Sequence, residues 1–255
     1  MDPVRTAERN DPSSVVGKID CILDAFDAEN CTVSLADLAR RTGLAKSTLH
    51  RLTATLVESG MLERENGRFQ LGLRMFELGQ LVPRQRALRD AALPFMEDLF
   101  EITHETIHLG VRDGLDILYV DKIQGHRTVS SPSRVAGRMP LYCTAIGKAV
   151  LAFSPPSLLE QVIETGLARW TRYTMTSPDL LRQSVAEVAQ RGVAFDFEES
   201  CLGLTCAAAP IIGSDLRLVG ALSISGATSR VHPEQIASAV KTATLSLSRV
   251  LIGSR

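Results

Sequence analysis

The chain has 255 residues, 45% hydrophobic and 22% charged, with a net charge of −1. This is ordinary globular composition with room for two modest domains. It provides no global basic field, so any nucleic-acid binding has to come from a local surface.

Five cysteines, an odd number without zinc or redox spacing, argue against a disulfide framework and for a reducing cytosol. Residues 1–13 are polar, lack the apolar core of a signal peptide and read as a disordered arm. No apolar run reaches the roughly 18 residues of a membrane span. A soluble, cytoplasmic protein is expected, with no cofactor and no metal.

Val15, Ile19, Ile22, Leu23 and Phe26 recur at helical spacing after Ser13 and Ser14, which predicts a capped helix ending near Ala28. Ser34-Leu35-Ala36-Asp37 is a weaker capping-box form opening a short helix to about Arg41. Thr42-Gly43-Leu44 is a tight turn, and a third helix runs from about Lys46 to Ser59. Two helices joined by a Gly-containing turn signal a helix-turn-helix. In the third helix Leu49, Leu52 and Leu56 share one face. At about 100° per residue, Ser47, His50, Arg51 and Ala54 lie opposite, with Lys46 at the start. Short and cationic side chains are what a major groove admits.

Asn66-Gly67, a strong two-residue hairpin signal, joins Met61–Arg64 to Arg68–Leu71 as a wing. Its Arg64 and Arg68 would meet phosphate or the minor groove. From Leu38 to Gln70, Arg40, Arg41, Lys46, Arg51, Arg64 and Arg68 outnumber Glu58, Glu63 and Glu65, a local basic surplus. The candidate set for contact with double-stranded operator DNA is Arg40, Lys46, Ser47, Thr48, His50, Arg51, Arg64 and Arg68.

A winged helix-turn-helix is thus expected over residues 14–76 and linker helices over 77–104. The linker carries Pro83 as a break and Pro94 as a kink or new start. From residue 105 to 255 the pattern changes. Ile107, Leu109 and Val111 alternate with Thr106, His108 and Gly110, and a second strand follows Asp113-Gly114 over Leu115–Lys122. Helices are predicted near Thr144–Phe153, Pro156–Glu164 and Pro178–Arg191, the last capped by Ser177. Strands follow near Val193–Phe197, Thr205–Ile212 and Leu216–Ser225, then a long helix from Pro233. The mixture, without a regular βαβ run, argues an antiparallel α+β domain.

Three catalytic patterns are weak. His104-Glu105-Thr106-Ile107-His108 spells the zinc-hydrolase motif, which works only on a helix, and its second half reads as strand. Gly147-Lys148 lacks the first glycine (Tyr142) and the Ser/Thr (Ala149) of a phosphate loop. Cys143 and Cys206 have no local nucleophile signature. A zinc hydrolase using His104, Glu105 and His108 is the alternative reading, as is a sensor whose N-terminal domain binds protein.

Arg138-Met139-Pro140-Leu141-Tyr142-Cys143-Thr144-Ala145-Ile146-Gly147-Lys148-Ala149 resembles a hallmark of the IclR (isocitrate lyase regulator) family. So do Arg191-Gly192-Val193-Ala194-Phe195-Asp196, Gly203-Leu204-Thr205-Cys206-Ala207-Ala208-Ala209-Pro210 and Ala221-Leu222-Ser223-Ile224-Ser225-Gly226. Gly43 to Leu52 is also similar to that family, and the likeness covers roughly Val15 to Ile252. The resemblance implies a winged helix-turn-helix plus a GAF-like α/β effector-binding domain, a homodimer or tetramer on a palindromic operator, and repression more often than activation. It implies a small organic or aromatic acid held by the amides of Ala145 and Ile146 and by Asp196, Cys206, Ser223 and Ser225. A helix start is suited to a carboxylate, and Ser223 and Ser225, two apart on a strand, face one way. Tyr142 and Met139 are candidate pocket walls. Phe195 and Phe197, which depart from many relatives, either fill the pocket or suit a flatter ligand.

Overall fold

A computed structural model describes residues 14–126, 129 and 131–253, the side chain of Arg84 excepted. The segment 1–13, expected as a disordered arm, lies outside the described residues. The chain divides into two compact units between Arg86 and Ala87.

In the N-terminal unit, α1 (Val15–Leu23) is capped by Ser14, whose side chain accepts from the Gly17 N–H at 2.9 Å. It stops short of Ala28. Asp27 accepts from the N–H groups of Glu29 and Asn30, and these local bonds replace a further helical turn. Strand β1 (Thr32–Ser34) follows; three residues are too few to show alternation, so periodicity missed it. Ser34 then opens α2 (Leu35–Thr42) in a complete capping box with Asp37, and Gly43 closes it in the left-handed conformation. Helix α3 (Lys46–Glu58) buries Leu49, Leu52, Thr53 and Leu56. These leucines pack with Ile22, Val33, Leu38, Leu62 and Phe69 in one core. Full burial of each such side chain contributes about 1.5–3 kcal/mol.

Strands β2 (Leu62–Glu65) and β3 (Arg68–Leu71) pair antiparallel, and β3 also pairs β1. Asn66 and Gly67 have φ of 49° and 77°, the two consecutive positive values of a twisted hairpin turn. Helix α4 (Leu73–Gln80) follows, then α5 (Pro83–Thr103), which continues through Pro94 as one element.

The C-terminal unit is built on a six-stranded antiparallel sheet in the order β6-β5-β4-β9-β8-β7. Its strands are β4 (Thr106–Asp113), β5 (Asp116–Ile123), β6 (Arg138–Pro140), β7 (Ala194–Phe197), β8 (Leu204–Ile212) and β9 (Leu218–Ala227). The sequence gave no sign of the short β6. Helices α6 (Ala145–Ala152), α7 (Pro156–Glu164) and α8 (Pro178–Arg191) lie between β6 and β7 in the chain, and α9 (Pro233–Gly253) ends it. Ser177 precedes α8 as expected but makes no side-chain cap bond; Pro178 at the first helical position removes one of the donors it would have served.

The sheet separates two cores. One face carries Leu109, Leu222 and Ile224 against Ala92, Met96 and Leu99 of α5 and Ile236, Val240 and Leu247 of α9. The other carries Ile117, Cys206 and Ala208 against Ile146 and Val150 of α6 and Leu181 and Val185 of α8. Helix α9 is long and apolar enough to cross a membrane, contrary to the reading of the sequence alone. Here its buried Ile236, Ala237, Val240, Thr244 and Leu247 recur at helical spacing as the stripe that meets the sheet.

Candidate functional site

Two places carry the candidate residues. On α3, Lys46, Ser47, His50, Arg51 and Ala54 are exposed, opposite the buried leucines, and Thr48 is half-buried at the edge of that face. Lys46, His50 and Arg51 make no side-chain ion pair or hydrogen bond within the described residues. The other basic candidates are exposed but engaged. Arg40 pairs with Asp37 at 3.1 Å. Arg64 lies over the Phe69 ring, 5.7 Å from its centroid. Arg68 donates to the Thr32 carbonyl at 2.8 Å, which braces β1 against the wing. The uncommitted cations therefore stand on the outer face of α3.

The second place lies on the face of the sheet that meets α6. Strand register assembles it. Asp196 faces Cys206 across β7 and β8, Cys206 faces Ser225 on β9, and Ser225 faces Thr106 on β4. In the neighbouring row Ser223 faces His108. The start of α6 meets these rows: Thr144 caps it, accepting from the Gly147 N–H at 3.0 Å. The N–H groups of Ala145 and Ile146, first in the helix, have no intrahelical acceptor. Gly147 is required, because a Cβ there would lie 2.1 Å from the Leu141 carbonyl oxygen. That close approach seats the helix start against the strand side.

One cavity of about 20 Å³ results, and Ala145, Ile146, Asp196, Cys206, Ser223 and Ser225 all line it. In this conformation it has room for about one water. Met139 also lines it, as expected. Tyr142 does not: its hydroxyl donates to the Ala168 carbonyl at 2.8 Å and accepts from the Trp170 indole. Phe195 and Phe197 also lie outside this cavity. They alternate with Asp196 along β7, so they point to the opposite face, where their rings stack with centroids 5.4 Å apart.

His108, Tyr119, Ser133 and Ser200 line the same cavity and were missed as site residues. The signal for His108 was available: in Thr106-Ile107-His108-Leu109 it shares the face of Thr106, away from the apolar partners. His108 Nε2 lies 2.8 Å from Ser133 Oγ, while Nδ1 lies 3.4 and 3.5 Å from the Ser223 and Ser225 hydroxyls. Bonds that long are weak, so both serines keep capacity for another partner. Burial, aided by the nearby Lys122 ammonium, pushes the His108 pKa down to about 3, so the ring is neutral.

Asp196 is buried and its pKa is pushed up to about 6. Desolvation outweighs the Ser200 hydroxyl, which donates to Oδ2 at 2.5 Å, and the Lys148 charge. Its Oδ1 accepts from the Glu199 N–H at 2.7 Å, so it orients the following loop as well as facing the cavity. Burial raises the thiol pKa values of Cys143 and Cys206 well above the ordinary range, which removes nucleophilic character at neutral pH.

The zinc-type motif is divided between elements. His104 ends α5 with φ of 53° and is exposed, Glu105 is ion-paired with Arg230 at 2.7 Å, and His108 belongs to β4. Among the described residues no group of three or more His, Cys, Asp or Glu is placed to hold a metal. Lys148, of the loop-like Gly147-Lys148 pair, is buried and bonded to Glu199.

The model of the bacterial transcriptional regulator IclR C-terminal domain matches residues 80–249, and that of the IclR helix-turn-helix domain matches residues 21–66. The chain is 34% identical over 236 residues to the HTH-type transcriptional regulator XynR of Escherichia coli, covering 90% of this chain and 94% of that protein. It is 31% identical over 220 residues to the transcriptional repressor IclR of the same organism, covering 84% and 80%. Among solved structures, an IclR homolog from Microbacterium hydrocarbonoxydans complexed with 4-hydroxybenzoate is similar with a TM-score of 0.90 at 28% identity, covering 94% of this chain and 100% of that one. The IclR of Thermotoga maritima is similar with a TM-score of 0.77 at 30% identity, covering 93% and 98%. With a helix whose free cations face outward and a separate unit enclosing a polar cavity at a helix start, the chain belongs to the IclR family of DNA-binding transcriptional regulators.

Proposed function

We propose that a small organic or aromatic acid binds in the cavity at the start of α6 and sets the affinity of the α3 face for operator DNA. The convergence of Ala145, Ile146, Asp196, Cys206, Ser223 and Ser225, drawn from four separate stretches of sequence, on one cavity supports this reading most strongly. The carboxylate meets the amides of Ala145 and Ile146, where the helix start offers unpaired donors and partial positive charge. The Ser223 and Ser225 hydroxyls, only loosely held by His108, complete its hydrogen bonds. Neutral His108 presents a polar edge without adding a charge. The 4-hydroxybenzoate in the Microbacterium relative favours an aromatic acid. A ligand of that size exceeds the 20 Å³ of the present cavity, so binding moves the lining side chains.

The regulator is non-catalytic and cytoplasmic. It acts as a homodimer or tetramer, and as a repressor, the role named for its IclR relative. Thermal-shift screening of small aliphatic and aromatic carboxylates tests the site. A binding acid raises the midpoint through mass action, and Ser223→Val abolishes the rise. A rise that survives Ser223→Val and Ser225→Val together places the acid elsewhere.

A further inference from the structure

A second cavity, of about 350 Å³, lies between α8 and the edge strand β7 and shares no lining residue with the first. Its deepest polar groups are Lys148 and Glu199, both buried and bonded to each other. Glu199 Oε1 takes the ammonium, but Oε2 is buried and accepts no hydrogen bond. A buried acceptor without a donor is rare in a native protein and calls for an explanation. The carboxylate is not free to swing away. The Glu199 N–H donates to Asp196 at 2.7 Å, and its carbonyl accepts from the Thr174 hydroxyl at 2.8 Å. Beside it the stacked rings of Phe195 and Phe197, inclined by only 12°, form an aromatic wall.

These features select a ligand. Oε2 needs a donor. A cationic donor would sit beside the Lys148 ammonium, and an anion would meet an acceptor oxygen, so a neutral O–H fits. The flat wall suits a ring in offset stacking. We propose that this groove is a second small-molecule site for a neutral hydroxyaromatic compound, its hydroxyl donating to Glu199 Oε2 and its ring lying against Phe195 and Phe197. The site is independent of the acid cavity.

The test is calorimetry of the full-length protein with 4-methylphenol, with toluene as the analogue lacking the donor. 4-Methylphenol binds the wild type, toluene binds at least about tenfold more weakly, Ser184→Phe, which fills the groove, lowers the affinity for 4-methylphenol at least about tenfold, and Ser223→Val in the other cavity leaves it unchanged. Should Ser184→Phe fail to fold, Phe197→Ser, at an exposed position, carries the same expectation. No binding of 4-methylphenol up to about 10 mM, equal binding of toluene, indifference to the groove variant, or loss in Ser223→Val would each overturn the proposal.

Discussion

Burial acts on His108 and Asp196 in opposite senses, and the two can be separated by pH. With its folded pKa at about 3 against a model value of 6.5, His108 is neutral in the native chain when it is already protonated in the unfolded one. Stability is lost as pH falls below 6.5 and continues to be lost toward 3. Asp196, raised from 3.8 to about 6, holds a proton in the native state that the unfolded state lacks, so stability is gained as pH falls between those values. The His108 shift is the larger, and the net result is acid destabilisation. His108→Gln, measured by urea unfolding at pH 7 and pH 5, is expected to lose less stability on acidification than the wild type; an equal or greater loss contradicts the neutral-ring assignment. At the other site, Arg51→Ala removes a cation with no internal partner. Operator affinity should fall by about 1–3 kcal/mol in fluorescence anisotropy, with relaxed sequence preference and an unchanged thermal midpoint. Undiminished binding would remove α3 from the groove.

At the scale of elements, α6 links its polar start to a buried ion pair two residues on. Lys148 and Glu199 have given up hydration for each other. Lys148→Met leaves a buried carboxylate unpaired and should cost about 3–5 kcal/mol in urea unfolding, whereas the pair Lys148→Met with Glu199→Leu should recover most of it. A double variant as unstable as the single one would show that packing, not charge, is the determinant. The elements were legible where several local signals agreed. Ser34 with Asp37, Asn66-Gly67 and Pro178 mark boundaries through side-chain and dihedral chemistry confined to a few residues. β1 and β6, three residues each, were not legible, because they exist only through pairing with β3 and β5. The site residues of β7, β8 and β9 were found because short motifs resembled a family. His108 and Ser133, 25 positions apart, needed the folded register. Phe195 and Phe197 were misplaced because proximity in sequence to Asp196 was read without the two-residue period of the strand.

At the scale of the whole molecule, the chain pairs a basic helix face in one compact unit with an acid-sized chemistry in the other, and regulation requires that each bias the other. By linkage, an acid that weakens DNA binding must itself bind more weakly to the DNA complex, by the same factor. DNA affinity should also fall with added salt as Lys46, Arg51 and the wing arginines release counterions; a salt-independent affinity would point to a protein partner for the N-terminal unit. The most direct measurement is the anisotropy of a labelled DNA fragment from upstream of the regulator's own gene, titrated with full-length protein with and without the carboxylate that gives the largest thermal shift. The account predicts that the acid changes the Kd at least about fivefold, and that Ser223→Val binds the DNA normally but ignores the acid. An acid that binds the protein and leaves the DNA Kd unchanged would contradict it.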